Sequence, residues 1–544
     1  VSRPPHSPSI GLALASFVLT ALATGAVWWW LGSPVALPPS QLGAGQKLYC
    51  LSYAPFRGAQ NPLVEGTRVP PEQIDEDLAL LAKYTDCIRT YSVDDGLDYV
   101  LQSARRYHLK VLHGIWVSAD MERTRRQVAA TVSYAKEYAD VISAIVVGNE
   151  VLLRGEMTAT TLAGIIREVK AQVPMPVTYA DVWEFWLRYP DVQNAVDFVT
   201  IHVLPYWEDF PIPASGAAAH LEAIRNRVAA AFPNKEIVIG EYGWPSAGRM
   251  REGARPSPSN QARAIIEALA VAQRANIRLN VIEAFDQPWK RGLEGAVGGY
   301  WGVIDRATGA PKFSFSGGSV SDHPDWQKQA LAGIALAALA FAGAFAAARR
   351  APGASATLWP KIAALVFPAA VLIGWTIETV LVESFSPGSW LRSLSFAVIA
   401  AIAPVVCAIA CAVGRPAPSF ASLLGRRGGR HDLLDCFLSG TLIALMLVAV
   451  EAALGLVFDP RYRDIPFAPL TGAAVPYLVL LVSTPRPSAP RAKAESLAAA
   501  VLGLSAVYTL FDETFANWQS VWFCAGLAGL AFMLAMARDA PSSG

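Results

Sequence analysis

Apolar residues fall along this chain in two rhythms. Between residues 45 and 315 they come in short runs: Leu48 to Ala54, Asp86 to Tyr91, Val111 to Val117, Val141 to Gly148, Pro176 to Ala180, Phe198 to Val203, Glu236 to Gly240 and Leu279 to Ala284. Amphipathic stretches of helical period separate most of these runs, the pattern of repeated βα units. Eight such strands over about 270 residues predict an α/β fold, a (β/α)8 TIM barrel, whose usual length is about 250 residues. The rival is a doubly wound sheet, which places a Gly-rich phosphate loop after its first strand. Here the first run ends Ser52-Tyr53-Ala54-Pro55-Phe56-Arg57, which cannot cradle a phosphate.

Elsewhere the apolar runs are long. One covers 9–32 and ends in Trp28-Trp29-Trp30; seven more lie near 330–348, 362–382, 391–413, 433–457, 467–483, 495–511 and 518–536. A bilayer span needs about 20 mostly apolar residues. The expected organisation is therefore an N-terminal transmembrane anchor at 1–32, a barrel domain at 33–325, and a transmembrane domain of about seven helices at 326–544. Ala21-Leu22-Ala23 offers a cleavage site, but the apolar run continues to Leu31. That exceeds the ~7–15-residue core of a cleaved signal, so an uncleaved anchor is the preferred reading.

Charge orients the spans. Arg349-Arg350, then Arg415, Arg426, Arg427 and Arg430, then Arg486, Arg491 and Lys493 lie on alternate connections, with Arg538 in the tail. The other connections are poorer in cations: Glu383 to Trp390, the stretch around Arg461 and Arg463, and Asp512-Glu513. The positive-inside rule makes the basic set cytoplasmic and the barrel extracytoplasmic; Arg3 before the first span agrees. Glu378 and Glu451 sit near outer helix ends. Such acids are functional suspects by default, and the plainer account is that both reach the interface and are solvated.

Composition adds exclusions. The 544 residues are 53% hydrophobic and 16% charged, with a net charge of +1, so bulk charge gives no sign of a nucleic-acid partner. Of six cysteines, Cys407, Cys411, Cys436 and Cys524 lie in apolar helical stretches and read as small core residues. Cys50 and Cys87 fall on neighbouring strands, where two buried thiols are favoured over a disulfide. No CxxC or His-rich spacing suggests a metal, and no cofactor is implied.

Chemistry in such a barrel gathers at the C-terminal strand ends. There stand Arg89 and Tyr91, Asn149 and Glu150, Tyr179 and Asp181 followed by Trp183 and Trp186, His202 followed by Tyr206 and Trp207, Glu241 followed by Trp244, and Glu283 followed by Lys290; Tyr53 ends the first strand. Aromatic faces and convergent polar groups suit a sugar. Glycosidic cleavage needs two carboxylates, one giving a proton to the leaving oxygen and one attacking the anomeric carbon. Glu150 and Glu241 end strands four and seven, across the mouth from each other. Asn149 can hold the sugar 2-hydroxyl, and Arg89 can keep the nucleophile ionised. Glu283 and Lys290 either pair with each other or reach the site. His202 reads as a hydrogen-bonded rim residue, and Tyr206, Trp207 and Trp244 as sugar contacts or packing.

These residues resemble those of glycoside hydrolase family 17. Val146 to Val151, Val-Val-Gly-Asn-Glu-Val, is similar to that family's acid/base strand. Ile239 to Ser246, Ile-Gly-Glu-Tyr-Gly-Trp-Pro-Ser, resembles its nucleophile strand; Ile88 to Tyr91 and Glu283 to Lys290, with Glu294 beyond, resemble its second strand and the segment after its last. The resemblance covers about residues 47–305. It implies a TIM barrel, retention, action on β-1,3-glucan, Glu150 as acid/base and Glu241 as nucleophile. Gln287, His202 and Leu204 depart from the plant members, which carry glutamate, asparagine and tyrosine there. The fused helices are similar to those of bacterial members that remodel envelope glucan. They imply a multi-pass protein of the bacterial inner membrane with its catalytic domain in the periplasm.

A glycosyl ester on Glu241 can pass to water or to a sugar hydroxyl. An aromatic acceptor site, with Trp183, Trp186 and Trp207 as candidates, would favour the sugar by effective concentration. Transglycosylation is the expectation and endo-hydrolysis the alternative. The expected partners are a β-glucan chain, the lipid bilayer and a glucan synthase. A second alternative is a membrane docking or transport module carrying a glucan-binding barrel, although a purely binding barrel would be expected to have lost one carboxylate.

Overall fold

Short β-branched runs with no Gly-rich loops form eight strands in the computed structural model, which describes residues 9–43, 45–351, 357–418, 432–484 and 492–536. They are β1 (Cys50–Ser52), β2 (Cys87–Arg89), β3 (Lys110–Ile115), β4 (Ile142–Asn149), β5 (Val177–Val182), β6 (Val199–His202), β7 (Ile237–Tyr242) and β8 (Leu279–Val281). All eight runs expected from the sequence are strands. Each pairs in parallel with the next, and β1 pairs with β8 through Cys50 opposite Asn280 and Leu51 opposite Val281, closing the barrel. Helices return the chain between strands, among them Pro71–Leu81, Met121–Glu137, Ala159–Lys170, Ala217–Ala231 and Pro258–Arg274.

Alternation sorts the strand residues. Cys50, Cys87, Leu112, Ala144, Val146, Ala180, Phe198 and Val238 form one small buried cluster, with residues from β1 to β5 and β7. The larger cluster includes Leu51, Ile88, Val111, Ile145, Val147, Ile201 and Ile239 with helix residues such as Leu78, Leu162 and Ile265. Burying each such aliphatic side chain stabilises the fold by roughly 1.5–3 kcal/mol before entropy is counted. Cys50 and Cys87 are bridged, which corrects the expected pair of thiols. Their strands adjoin, and the paired Cα atoms stand 4.4 Å apart, within bridging range.

The chain divides into two compact units. One holds residues 34–247 and 253–320; the other holds 1–33, 248–252 and 321–544. The second is helical: Ile10–Leu31, Trp326–Ala348, Leu358–Glu383, Pro387–Ala412, Leu433–Phe458, Phe467–Ser483, Lys493–Glu513 and Trp518–Met536. Among the described residues seven of these are long and apolar enough to cross a membrane. Phe467–Ser483 has 17 residues, about 25 Å at 1.5 Å per residue. Trp28 is wholly buried and its indole donates to the Val371 carbonyl, so the first helix is packed into this unit. Glu378 accepts from His323 Nδ1 at 2.8 Å, and Glu451 lies 3.8 Å from Arg463. Each acid therefore has a protein partner rather than water alone. Cys407, Cys411 and Cys524 are buried, but Cys436 is exposed, a correction to its expected core position. Arg3, Arg426, Arg427, Arg430, Arg486, Arg491 and Arg538, which carry much of the orientation argument, lie outside the described residues.

Candidate active site

Arg89 is the hub of the barrel mouth. It ends β2 on the same face as Cys87, and it is 1% exposed. Its Nη2 donates to Asn149 Oδ1 at 2.6 Å, and its Nη1 lies 2.7 Å from the Gly240 carbonyl, 2.9 Å from Glu241 Oε1 and 3.2 Å from His202 Nε2. One side chain thus links β2 to β4, β6 and β7.

Glu241 reaches the mouth because the β6–β7 register shifts. Ile201 pairs with Ile239, but His202 pairs with Glu241 rather than Gly240. The extra residue re-aims the side chain, a common use of an irregularity beside a site. The Tyr91 hydroxyl lies 2.8 Å from Glu241 Oε1 and 2.7 Å from Ser52 Oγ. With one proton to give, it donates to the carboxylate and accepts from Ser52. Burial pushes the Glu241 carboxyl up. The positive charges around it, Arg89 and Lys290 among them, and the Tyr91 hydrogen bond outweigh this and hold it below its usual range. Burial, with the Glu241 charge, raises the Tyr91 hydroxyl, so it stays a donor.

Glu150 lies one residue past β4 with φ of +53°. Left-handed backbone at a residue other than glycine costs about 1–2 kcal/mol. The turn is held by Glu150 N donating to the Ala180 carbonyl and Leu152 N donating to the Tyr179 hydroxyl. Gly148, at φ +87°, has no room for a side chain: a Cβ there would lie 2.8 Å from Val151 Cγ2. Glu150 Oε1 is 2.8 Å from His202 Nδ1. One ligand atom each from Glu150, His202 and Glu241 all lie within 4.8 Å of one another. That spacing would suit a metal, but the Arg89 guanidinium already supplies the cation between His202 and Glu241.

Lys290 donates to Glu283 at 3.0 Å, and both stand in the field of Glu241. The pairing of the two is what the structure shows. Burial raises Glu283 and Glu294 to about 7 each, against the pull of Lys290. Burial opposes the Lys290 charge, but Glu283 and Glu294 raise it above its usual value.

Other expected residues fall elsewhere. Tyr206 and Trp244 are wholly buried and Trp186 is 1% exposed, its indole donating to the Thr200 carbonyl. These three are packed in the barrel unit, which for Tyr206 and Trp244 is the packing reading of the two. Tyr53 is 2% exposed and bonds Asp77 at 3.1 Å, so its hydroxyl is directed away from the carboxylate pair. Tyr179 and the buried Asp181 bond each other and brace the Glu150 turn from below; burial, aided by the Glu150 charge, lifts Asp181 to about 6. Trp183 and Trp207 keep partial exposure, Trp183 bonded to Glu208 and Trp207 stacked on Trp301 at 6.4 Å and 11°. Sequence reasoning missed Ser52 and Asn280, whose Nδ2 donates to Ser52 Oγ and the Gly240 carbonyl. The available signal was a polar residue inside an apolar strand run.

With this geometry in place, comparison with known proteins is informative. Residues 50–302 match the family model described as the BtgE/BtgC glycoside hydrolase domain. A glucan 1,3-β-glucosidase of Schizosaccharomyces pombe is 30% identical over 247 residues, 42% of this chain and 76% of that protein. The chain belongs to glycoside hydrolase family 17. A probable β-glucosidase btgE of Aspergillus flavus, 28% identical over 265 residues, covers 47% of this chain, which spans 42% of that longer relative. A family 17 β-1,3-glucanosyltransferase of Rhizomucor miehei is 24% identical, covering 50% of this chain and 98% of its own, with a TM-score of 0.44. The family segment coincides with the barrel; the matched residues of the family model stop at 302, before the C-terminal helices begin at Trp326.

Proposed function

We propose that this family 17 chain is a retaining, β-1,3-glucan-active transglycosylase tethered to a membrane. The observation that carries the reading is the carboxylate spacing. Oxygens of Glu150 and Glu241 lie within 4.8 Å, near the ~5–5.5 Å of retaining pairs and short of the ~6.5–9.5 Å that admits a water for inversion. Glu150 gives its proton to the glycosidic oxygen as that bond breaks. Glu241, kept ionised by Arg89 and Tyr91, bonds the anomeric carbon. A hydroxyl then attacks the anomeric carbon, the bond from that carbon to Glu241 breaks and frees the carboxylate, and the hydroxyl proton goes to Glu150.

The glucan assignment is supported by the glucan 1,3-β-glucosidase of S. pombe. Transfer is supported by the partly exposed Trp183 and Trp207, which can hold an acceptor sugar. Hydrolysis is the second reading, favoured by the glucosidase names of the relatives. Membrane tethering is supported by seven apolar helices, and an extracytoplasmic barrel by the Cys50–Cys87 bridge, since disulfides persist in oxidising compartments. The proposed location, carried by the resemblance of the fused helices to those of bacterial members, is the bacterial inner membrane with the barrel in the periplasm, where tethering would set the enzyme beside nascent glucan from a synthase.

The test is to incubate detergent-purified protein with a linear β-1,3-gluco-oligosaccharide and follow products by mass spectrometry. Products longer than the donor are expected. Only shorter products would make it a hydrolase, and no change would overturn the glucan reading.

A further inference from the structure

The reaction above gives His202 no task, yet its ring is wholly buried between the two carboxylates. Nδ1 stands 2.8 Å from Glu150 Oε1; Nε2 stands 3.2 Å from Arg89 Nη1 and 3.6 Å from Glu241 Oε1. A guanidinium nitrogen only donates. The two protons of Nη1 go to the Gly240 carbonyl and to Glu241, and the guanidinium cation facing Nε2 disfavours a proton there, so the ring proton sits on Nδ1, facing Glu150. Which nitrogen carries the proton is set by the partner of the other.

The ring is also fixed sterically. A Cβ at Gly240 would lie 3.2–3.3 Å from His202 Cδ2 and Nε2 and 2.5 Å from Thr200 Cγ2. Glycine is what lets β7 pass beside the imidazole. With no exposed surface, the ring is not placed to stack on or bond a sugar directly. It acts through Glu150.

We propose that His202 is a positioning residue for the general acid, its Nδ1–H occupying Glu150 Oε1 so that Oε2 carries the transferable proton. This rests on the reading of Glu150 as acid/base. In the first step the Oε2–H bond breaks and the proton goes to the glycosidic oxygen, while the anomeric C–O bond breaks and the Glu241–carbon bond forms. Glu150 is then a carboxylate, and the Nδ1–H bond to it becomes charge-assisted and stronger. The bond therefore gains strength as the transition state is approached, which is the requirement for catalysis rather than binding. In the second step the attacking hydroxyl bonds the anomeric carbon as the Glu241–carbon bond breaks, and it returns its proton to Oε2. Arg89 sets the ring's tautomer throughout and donates to the nucleophile from the same Nη1.

The experiment compares two donors with the full-length protein in detergent: a linear β-1,3-gluco-oligosaccharide, whose leaving group needs the acid, and its 2,4-dinitrophenyl glycoside, whose leaving group does not. His202→Phe should lower kcat/KM on the oligosaccharide by about 10²-fold, the lower range for a proton-transfer contribution. On the dinitrophenyl donor the loss should be under about 5-fold, since that step bypasses proton donation. KM should change little on either. His202→Asn, whose amide can still donate toward Oε1, should recover part of the lost rate. Equal losses on both donors, or a raised KM with unchanged kcat, would overturn the inference in favour of a scaffolding or a sugar-binding role. Turnover of neither donor by the native protein would instead overturn the glucan reading itself and this inference with it.

Discussion

Arg89 and Glu241 show why single residues here cannot be read singly. Both are almost wholly buried, and they lie 2.9 Å apart. Breaking such a pair leaves a charge without its partner, which costs about 3–5 kcal/mol. Glu241→Ala would leave the Arg89 cation without its carboxylate. Glu241→Gln keeps the shape and an oxygen that can accept from Arg89: turnover should fall by more than about 10³-fold, with a smaller loss of stability than the alanine variant suffers. Near-normal turnover would remove Glu241 as nucleophile. Glu150→Ala should regain activity with azide on a dinitrophenyl donor, and absence of rescue would count against the acid role. Glu283 and Glu294 give a pH signature. Their folded values of about 7 exceed the ordinary value of 4.5. The folded state therefore holds their protons more tightly, and their contribution to stability is lost as pH rises from about 4.5 to 7. Glu283→Gln should flatten that slope in melting curves taken across this range; an unchanged slope would place the titration elsewhere.

Strands and turns deliver these side chains through local devices. The β6–β7 register shift brings Glu241 opposite His202, and the left-handed Gly148 and Glu150 swing the acid into the mouth. Gly148→Ala meets both a positive φ and the Val151 methyl, so a loss of about 1–2 kcal/mol is expected. Displacement of Glu150 should lower kcat more than it raises KM; steady-state kinetics beside a denaturant curve would show it. The Cys50–Cys87 bridge closes a 37-residue separation, for which chain entropy gives about 4 kcal/mol. Reduction should lower the barrel's melting temperature while leaving turnover at low temperature intact. Neither the shift nor the bridge was legible in the sequence. Pairing offset by one residue leaves no mark on an apolar run, and two cysteines on adjacent strands are compatible with thiols.

Over the whole molecule, two compositions divide the chain. The barrel unit pairs charges over its surface and buries a network of them at the mouth, and, among the described residues, the helical unit holds seven helices of membrane-spanning length. If the basic connections face the cytoplasm, protease added to intact spheroplasts should remove the barrel and leave the helices. Protection of the barrel until the membrane is permeabilised would reverse the proposed orientation. The helix Phe467–Ser483 shows the limit of hydropathy. Its sequence is as apolar as its neighbours', but it has 17 residues and its side chains are largely buried. The packing around it is what sets its place.

Periodicity alone determined the eight barrel strands and, among the described residues, the apolar helices, because burial on a strand or in a bundle of helices needs a regular pattern along the chain. It also marked Glu150 and Glu241, since a barrel brings its strand ends to one face. Only the tertiary structure decided which aromatic residues meet solvent. Tyr206 and Trp244 have the composition of sugar contacts but lie in the core, whereas Trp183 and Trp207 do not lie so deep. Only the tertiary structure gave Arg89 its four partners and His202 its place between two carboxylates. The physical reason is the same in each case: burial and hydrogen bonding are properties of residues far apart in sequence, and no local pattern records which distant groups will share one low-dielectric site.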